Sequence, residues 1–251
     1  MQEKKRGRTR SRWLLPAALV LAGAAWFENF TLSTSTVTAA CAALPEAFSG
    51  LRIVQISDLH GRRFDAESRY LLELVRLQSP DLIALTGDLA DEFTDFSMLD
   101  AAGVVRLQNE YKLLERGQFS IVLAGADDPN GPFDQKRPAQ LVREIRQARG
   151  KDAYILMLSH RNDELDLWAN MGVQTVLCGH GHGGIVRLPF VGAVFGTHLD
   201  LFPDYTAGLY QKGQTSMIVS RGLGGSRKLP LRIGNRPEIV TVILKTDSGE
   251  I

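Results

Sequence analysis

At 251 residues, with 44% hydrophobic and 23% charged side chains, the chain can bury one substantial core and is not a disordered or low-complexity protein. The net charge of +1 hides an asymmetry: residues 1–12 hold six Lys/Arg against one Glu, which leaves 23 basic and 27 acidic residues, a balance of −4, for the remainder. A body of that sign argues against a nucleic-acid-binding surface, and Cys41 and Cys178, the only cysteines, argue against a disulfide framework while leaving the compartment open.

The basic run Lys4, Lys5, Arg6, Arg8, Arg10, Arg12 precedes fifteen uncharged, mostly apolar residues, Trp13 to Phe27, closed by Glu28. The positive-inside bias makes 1–12 a cytoplasmic basic segment and predicts export of the remainder of the chain. Fifteen residues lie between a signal-peptide core and a full span, and Ala22-Gly23-Ala24 offers a cleavage site. Trp26, Phe27 and Phe30 extend the apolar length as interfacial aromatics, so residues 13–30 are read as a transmembrane anchor, with a cleaved signal sequence as the alternative. The expected protein is single-pass in the cell membrane with its domain outside the cytoplasm. Signal cleavage would instead release the domain as an exported protein.

From about residue 45 the pattern becomes globular and continues to about 249. Leu51 to Ile56 is rich in β-branched residues and reads as a strand, ending at Ser57-Asp58-Leu59-His60. Asp65 is placed to cap a helix over 66–77, whose apolar stripe includes Leu71, Leu74 and Val75, before Pro80. Asp81 to Thr86 forms the next strand and runs straight into Gly87-Asp88-Leu89-Ala90-Asp91. Further on, Phe119 to Ala124 leads to Gly125-Ala126-Asp127-Asp128, a helix is predicted over 139–149, Tyr154 to Ser159 leads into His160, and Val173 to Cys178 leads into His180. Strands alternating with helices and finishing in acids or imidazoles predict an α/β sheet with a site along its carboxyl edges. The tail pieces 185–195, 216–220 and 239–244, broken by Gly, Pro and Asn, predict a partly antiparallel second sheet.

Gly179-His180-Gly181-His182-Gly183-Gly184 carries the strongest chemical signal. Two imidazoles two residues apart face one point only if the backbone bends sharply between them, which glycine permits. Neutral imidazole is the commonest side-chain ligand for transition metals, and four of the five histidines, His60, His160, His180 and His182, come just after strand-like runs; only His198 does not. With Asp58 and Asp88 they make an Asp/His set suited to Mn, Fe or Zn rather than to Ca or a structural zinc. Six donors exceed one tetrahedral ion. They suit two divalent ions about 3.5–4 Å apart, an arrangement that polarises a phosphoryl group and activates a hydroxide for in-line attack, with Asp88 as the candidate shared ligand. Each residue also has a plain role: Asp58 and Asp88 as caps or turn formers, His160 as a hydrogen-bonded buried histidine.

The set resembles the calcineurin-like metallophosphoesterases. Asp58-Leu59-His60 is similar to that family's first motif, Gly87-Asp88-Leu89-Ala90-Asp91 to its second, His160 to its isolated histidine, and Gly179-His180-Gly181-His182 to its last. The N-terminal apolar segment, the Gly-Gly after His182 and Ser220-Arg221-Gly222-Leu223-Gly224 resemble the membrane-associated branch, which includes bacterial phosphodiesterases and a UDP-diacylglucosamine pyrophosphohydrolase of lipid A synthesis. The resemblance implies a two-sheet sandwich flanked by helices that hydrolyses phosphodiester or pyrophosphate bonds, on lipid-linked substrates in that branch. It also implies that Asp58, His60, Asp88 and His182 hold one ion, and Asp88, His160 and His180 the other.

The family's middle motif, Gly-Asn-His and then an acid, supplies an Asn to the second ion and a His that assists the leaving group, and no such string occurs here. Only 35 residues separate Asp91 from Asp127, so the domain reads as shortened between 91 and 120. The general-acid histidine thus has no match, the second metal site is expected to be weakened, and Asp128 or Asn130 is the nearest makeshift ligand. Three functions stay open: a working hydrolase, a metal-binding relative or truncated gene product with little catalysis, and an exported nuclease or nucleotidase using the same chemistry.

Overall fold

The computed structural model describes residues 7–65, 67–89, 99, 101–128, 135–225 and 231–247. Helix α1 (Gly7–Phe30) and strand β1 (Ser33–Cys41) open the chain. Then come β2 (Arg52–Ile56), α2 (Arg69–Leu77), β3 (Leu82–Leu85), β4 (Glu110–Arg116), β5 (Phe119–Ala126), α3 (Pro138–Arg149), β6 (Ile155–Ser159), α4 (Leu165–Asn170) and β7 (Thr175–Cys178). The tail adds β8 (Val186–Leu188), β9 (Gly192–Phe195), β10 (Gly208–Lys212), β11 (Thr215–Val219) and β12 (Glu238–Thr246).

Two sheets result, one ordered β1-β12-β2-β3 and the other β10-β11-β7-β6-β5-β4, with β8-β9 as a separate hairpin. Their layering arises from the two-residue period of a strand. In β5, Ile121 and Leu123 enter the core between the sheets, whereas Val122 and Ala124 pack against Leu141 and Ile145 of α3 and Trp168 of α4. In β2, Ile53 faces the other sheet and Val54 meets Leu71 and Val75 of α2. The expected α/β sandwich flanked by helices is present. Its strands β2 and β3 run parallel, as do β5, β6, β7 and β11, so two sets of carboxyl ends are available for a site.

The tail pairs antiparallel in β8-β9, β10-β11 and β12-β2, but it is dispersed: β11 extends the larger sheet beside β7, β12 inserts between β1 and β2, and among the described residues only the two-stranded β8-β9 sheet stands apart. Three strands, β1, β4 and β10, escape sequence reading, and each is the outermost strand of its sheet. An edge strand keeps much of its surface in water and so lacks a strong apolar alternation. The helix expected from residue 66 begins at Arg69. The Asp65 carboxylate caps it from a turn earlier, accepting the N–H groups of Glu67, Arg69 and Tyr70 at 3.0, 2.9 and 2.7 Å.

The transmembrane anchor expected over 13–30 is not shown: among the described residues no helix is long and apolar enough to cross a membrane. Instead, α1 leaves the domain as an exposed helix, with Leu14, Leu19, Val20, Leu21 and Trp26 all open to the surroundings. Its last turn is tied down. The Asn29 side chain donates to the Arg232 carbonyl at 3.1 Å and accepts the Arg232 N–H at 3.0 Å, and Arg236 stacks over Phe27. Lys4, Lys5 and Arg6, the end of the expected domain at 248–249, Asp91 of the second motif and Asn130 lie outside the described residues.

Candidate metal centre

All six singled-out donors meet where the carboxyl ends of the two sheets come together. Asp58 and His60 lie just past β2, Asp88 past β3, His160 past β6, and His180 and His182 past β7. The sheets are tied at this point by Gln55 of β2, whose buried amide donates to the Cys178 carbonyl at 2.8 Å and to Thr86 Oγ1 at 3.0 Å. Main-chain bonds align the turns: the N–H groups of Asp58 and His60 donate to the carbonyls of Gly87 and Asp88, and that of Gly179 to His160. Five of the six residues are left-handed, with φ of 50° at Asp58, 49° at His60, 45° at Asp88, 69° at His180 and 50° at His182. Each such residue costs about 1–2 kcal/mol, and concentrations of strained backbone mark functional sites.

Asp58 is fully buried, and its carboxylate accepts the His180 N–H at 3.0 Å. The space around it depends on glycine, since a Cβ on Gly179 would collide with Ser57 Oγ and Asp58 Oδ2. His60 Nε2 stands 3.4 Å from His182 Nε2, and His160 Nε2 stands 3.1 Å from His180 Nδ1. Two triads have donor atoms mutually within 4.8 Å, namely Asp58, His60 and His182, and Asp58, Asp88 and His160. Asp58 therefore belongs to both. Asp88 also spans the halves, its Oδ2 lying 3.6 Å from His60 and 3.5 Å from His160, so the sharing expected of Asp88 alone falls on both carboxylates. His180 lies outside both triads and joins through its ring contact with His160.

Protons fit this set poorly. Facing imidazole nitrogens can share only one proton between them, and among the described residues the buried Nδ1 atoms of His60 and His182 find no hydrogen-bond partner. Neutral nitrogens and carboxylate oxygens converging from several turns suit divalent cations, which these residues would hold.

Electrostatics distinguish the two halves. Burial lowers the pKa of His182 to about 4, ahead of the opposing charge of Asp58. For His160 burial acts in the same direction but is outweighed by the hydrogen bond to Asp88 and the charges of Asp58 and Asp88, which raise its pKa to about 9. The bond with His160 holds the Asp88 carboxyl at about 2. At neutral pH His182 is free of a proton and open to a cation, whereas His160 holds one.

Several residues that matter here carry no local sequence signal. Arg232 is buried, with its pKa drawn down to about 9 by desolvation, and its guanidinium donates to the carbonyls of His182, Gly222, Gly224, Arg221 and Asn235. Asn235 adds bonds to the His182 and Gly184 carbonyls at 2.9 and 2.6 Å. Together they clamp the last histidine turn. Beside His160 and His180 opens a cleft of about 900 Å³, bordered by Asp88, Asp127, Asp128 and the apolar Leu82, Leu107, Leu123 and Leu158. His198, set aside on sequence grounds, comes near the centre, its ring 5.8 Å from that of His180.

The family model of the calcineurin-like phosphoesterases matches residues 51–189, which include every one of these donors. The chain belongs to that family, metal-dependent hydrolases of phosphoester bonds. It is 35% identical to phosphodiesterase YaeI of Escherichia coli (strain K12), over 77% of this chain and 82% of that one. It is 27% identical to uncharacterized metallophosphoesterase YkuE of Bacillus subtilis (strain 168), over 89% of each chain. A Danio rerio transmembrane protein with metallophosphoesterase domain is 24% identical, over 80% of this chain and 55% of its own.

The two pKa values predict different proton traffic. A cation entering the His160 half at pH 7 displaces the His160 proton, so affinity there rises about tenfold per pH unit and levels off above about pH 9. His182, held at about 4, itself releases none above about pH 5. Calorimetric titration of Mn²⁺ in buffers of different ionisation enthalpy should show proton release at pH 7 that His160→Ala abolishes. A buffer-independent enthalpy at pH 7 would contradict the assignment.

Proposed function

We propose that this protein is a membrane-attached phosphodiesterase or pyrophosphohydrolase acting on lipid-linked substrates outside the cytoplasm, with a catalytic rate limited by a missing segment. The observation that carries the hydrolytic part is the convergence of Asp58, His60, Asp88, His160, His180 and His182 at one point on two sheet edges. Two divalent ions held there would polarise a phosphoryl group and supply a nucleophile at neutral pH. The chain's own residues set the geometry: Asp58 and Asp88 span both halves, Gln55 locks the sheets, and Arg232 clamps the turn bearing His182. The YaeI likeness favours phosphodiesters.

The reading of reduced activity has two supports. No Gly-Asn-His string occurs in the chain. In addition, β3 ends its sheet, and among the described residues nothing pairs with its free side, where Ile83 is 48% exposed and the apolar cleft begins. An unpaired apolar edge beside the weaker half of the centre is what loss of a neighbouring strand with its Asn and His would leave. Asp128 lines the same cleft and stands in reserve as a makeshift ligand. A nuclease or nucleotidase would use the same centre; turnover of nucleotides in preference to lipid phosphoesters would favour it.

The two sides share Asp58 and Asp88 and add two histidines each, but no Gly-Asn-His string adds an Asn on the His160 side, so metal analysis after gel filtration should give nearer one ion than two per chain. His182→Ala should remove most of it. Two tightly held ions would show that another residue fills the gap.

Rate should depend on the leaving group. A positioned proton donor contributes about 10²–10⁴-fold, equivalent to roughly 3–5 kcal/mol of barrier. Nitrophenyl esters need little protonation, so slow Mn-stimulated cleavage of these and almost none of alkyl esters is expected. Restoring a Gly-Asn-His block should raise the alkyl rate far more than the nitrophenyl rate. Alkyl ester turnover at about 1–10³ per second by the chain as it stands would overturn the reading and direct attention to His198.

Topology rests on the six basic residues before Trp13 and on α1, which is apolar on every side through its exposed length. Protease added to intact spheroplasts should digest the domain. Protection of the domain under those conditions would reverse the orientation.

A further inference from the structure

A second cleft, of about 720 Å³, lies between the end of α1 and the centre. One wall is a single helix face: Ala22, Ala25, Trp26, Asn29 and Phe30 recur at the three- and four-residue spacing of one stripe. The opposite wall comprises His60, Arg62, Gly224, Gly225 and Leu231. The cleft therefore begins on a side chain of the metal centre and ends on an apolar helix. Gly224 brings this wall tight against the centre, since a Cβ there would stand 2.6 Å from the Asp58 carbonyl and 3.0 Å from the His60 ring.

We propose that this cleft seats the acyl or alkyl chain of a membrane-borne phosphoester whose phosphoryl group lies at His60 and its neighbours. The inference rests on the proposed phosphoesterase activity and adds to it a binding site for the apolar part of the substrate. Three features favour a lipid chain over a partner protein. First, α1 exposes apolar side chains all round, Leu14, Leu15, Leu19, Val20, Leu21 and Trp26 among them, whereas a helix covered by one partner presents one stripe. Second, Arg8, Arg10 and Arg12 precede the apolar run, as suits an anionic lipid surface. Third, the cleft itself is polarised. Arg62, whose guanidinium donates to the Asn29 carbonyl and lies 5.0 Å from the Phe30 ring centre, stands with His60 on the inner wall, and Ala22, Ala25 and Trp26 lie on the helix. An anionic head and an apolar tail would fit that order.

From residue 22 to residue 30 the helix wall is about 12 Å long. Each seated methylene contributes about fourfold in affinity, so four or more give at least about 10²-fold. The probes are p-nitrophenyl hexadecyl phosphate and p-nitrophenyl ethyl phosphate, which share a leaving group and differ only in the chain. They are assayed with the full-length protein and Mn²⁺ in detergent micelles, and equilibrium binding of hexadecyl phosphate and ethyl phosphate is measured alongside. Wild type should prefer the long chain by at least about 10²-fold in both kcat/KM and binding. Ala25→Trp, which fills the cleft, should reduce that preference at least tenfold, whereas Val20→Trp, on the same helix but outside the cleft, should retain it. Equal binding of the long and short chains would sink the proposal, as would an equal loss in both variants, which reports only general partition into micelles. Preferential binding without hydrolysis of either ester would leave the cleft standing and refute the phosphoesterase reading. Hydrolysis of both esters at one rate would do the reverse.

Discussion

A carboxylate buried where two sheets meet constrains nearly everything around it. Asp58 is wholly removed from water, and an ion in such a place must be met by hydrogen bonds and opposite charge. The fold supplies the His180 N–H and surrounds the carboxylate with glycines, notably Gly179, so that the chain passes close enough to donate. Imidazoles of the facing sheet approach Asp58 Oδ1, His160 at 4.0 Å and His182 at 3.9 Å. Carboxylate oxygens and facing neutral imidazole nitrogens repel one another unless a proton or a cation lies between them. That is the physical reason the arrangement reads as a place for metal.

Holding these groups together requires stiffness, and it comes from residues with no chemistry of their own. Gln55 crosses between the sheets, Arg232 gathers the carbonyls of the histidine and glycine turns, and Asn235 closes the His182 turn from beneath. The left-handed backbone at five of the six donors persists because these bonds over-determine it. Arg232 has a second role. Through its reciprocal bonds with Asn29 it joins the root of α1 to the turn that carries His182. The exposed apolar helix is thus anchored on the same scaffold as the centre, which makes an approach of substrate along that helix mechanically reasonable.

The asymmetry between the two halves has an electrostatic origin. At His182 burial outweighs the nearby Asp58 charge and keeps the ring neutral, while at His160 the hydrogen bond to Asp88 and the charges of Asp58 and Asp88 outweigh burial. A broad cleft lies beside His160, lined by leucines and by β3, which among the described residues is unpaired on one side.

Much was determined by the sequence alone. Strands buried on both faces, Leu51 to Ile56 and Tyr154 to Ser159 among them, are legible because their apolar runs are continuous, and the donors at their ends are legible because rare residue types recur at one kind of position. Strands ending in acids or imidazoles implied a shared site, and the fold brings five of these donors into two overlapping groups, with His180 against His160. Only the tertiary structure decided the rest. Edge strands β1, β4 and β10 and the dispersal of the tail between two sheets depend on pairings between residues as much as some 200 positions apart, which leave no local periodicity. The partners Gln55, Arg232 and Asn235 are anonymous in sequence because a hydrogen bond to a distant carbonyl asks nothing of its neighbours in the chain. His198, apart from every motif, reaches the centre for the same reason: proximity in a folded chain is set by packing, and packing is not written in spacing.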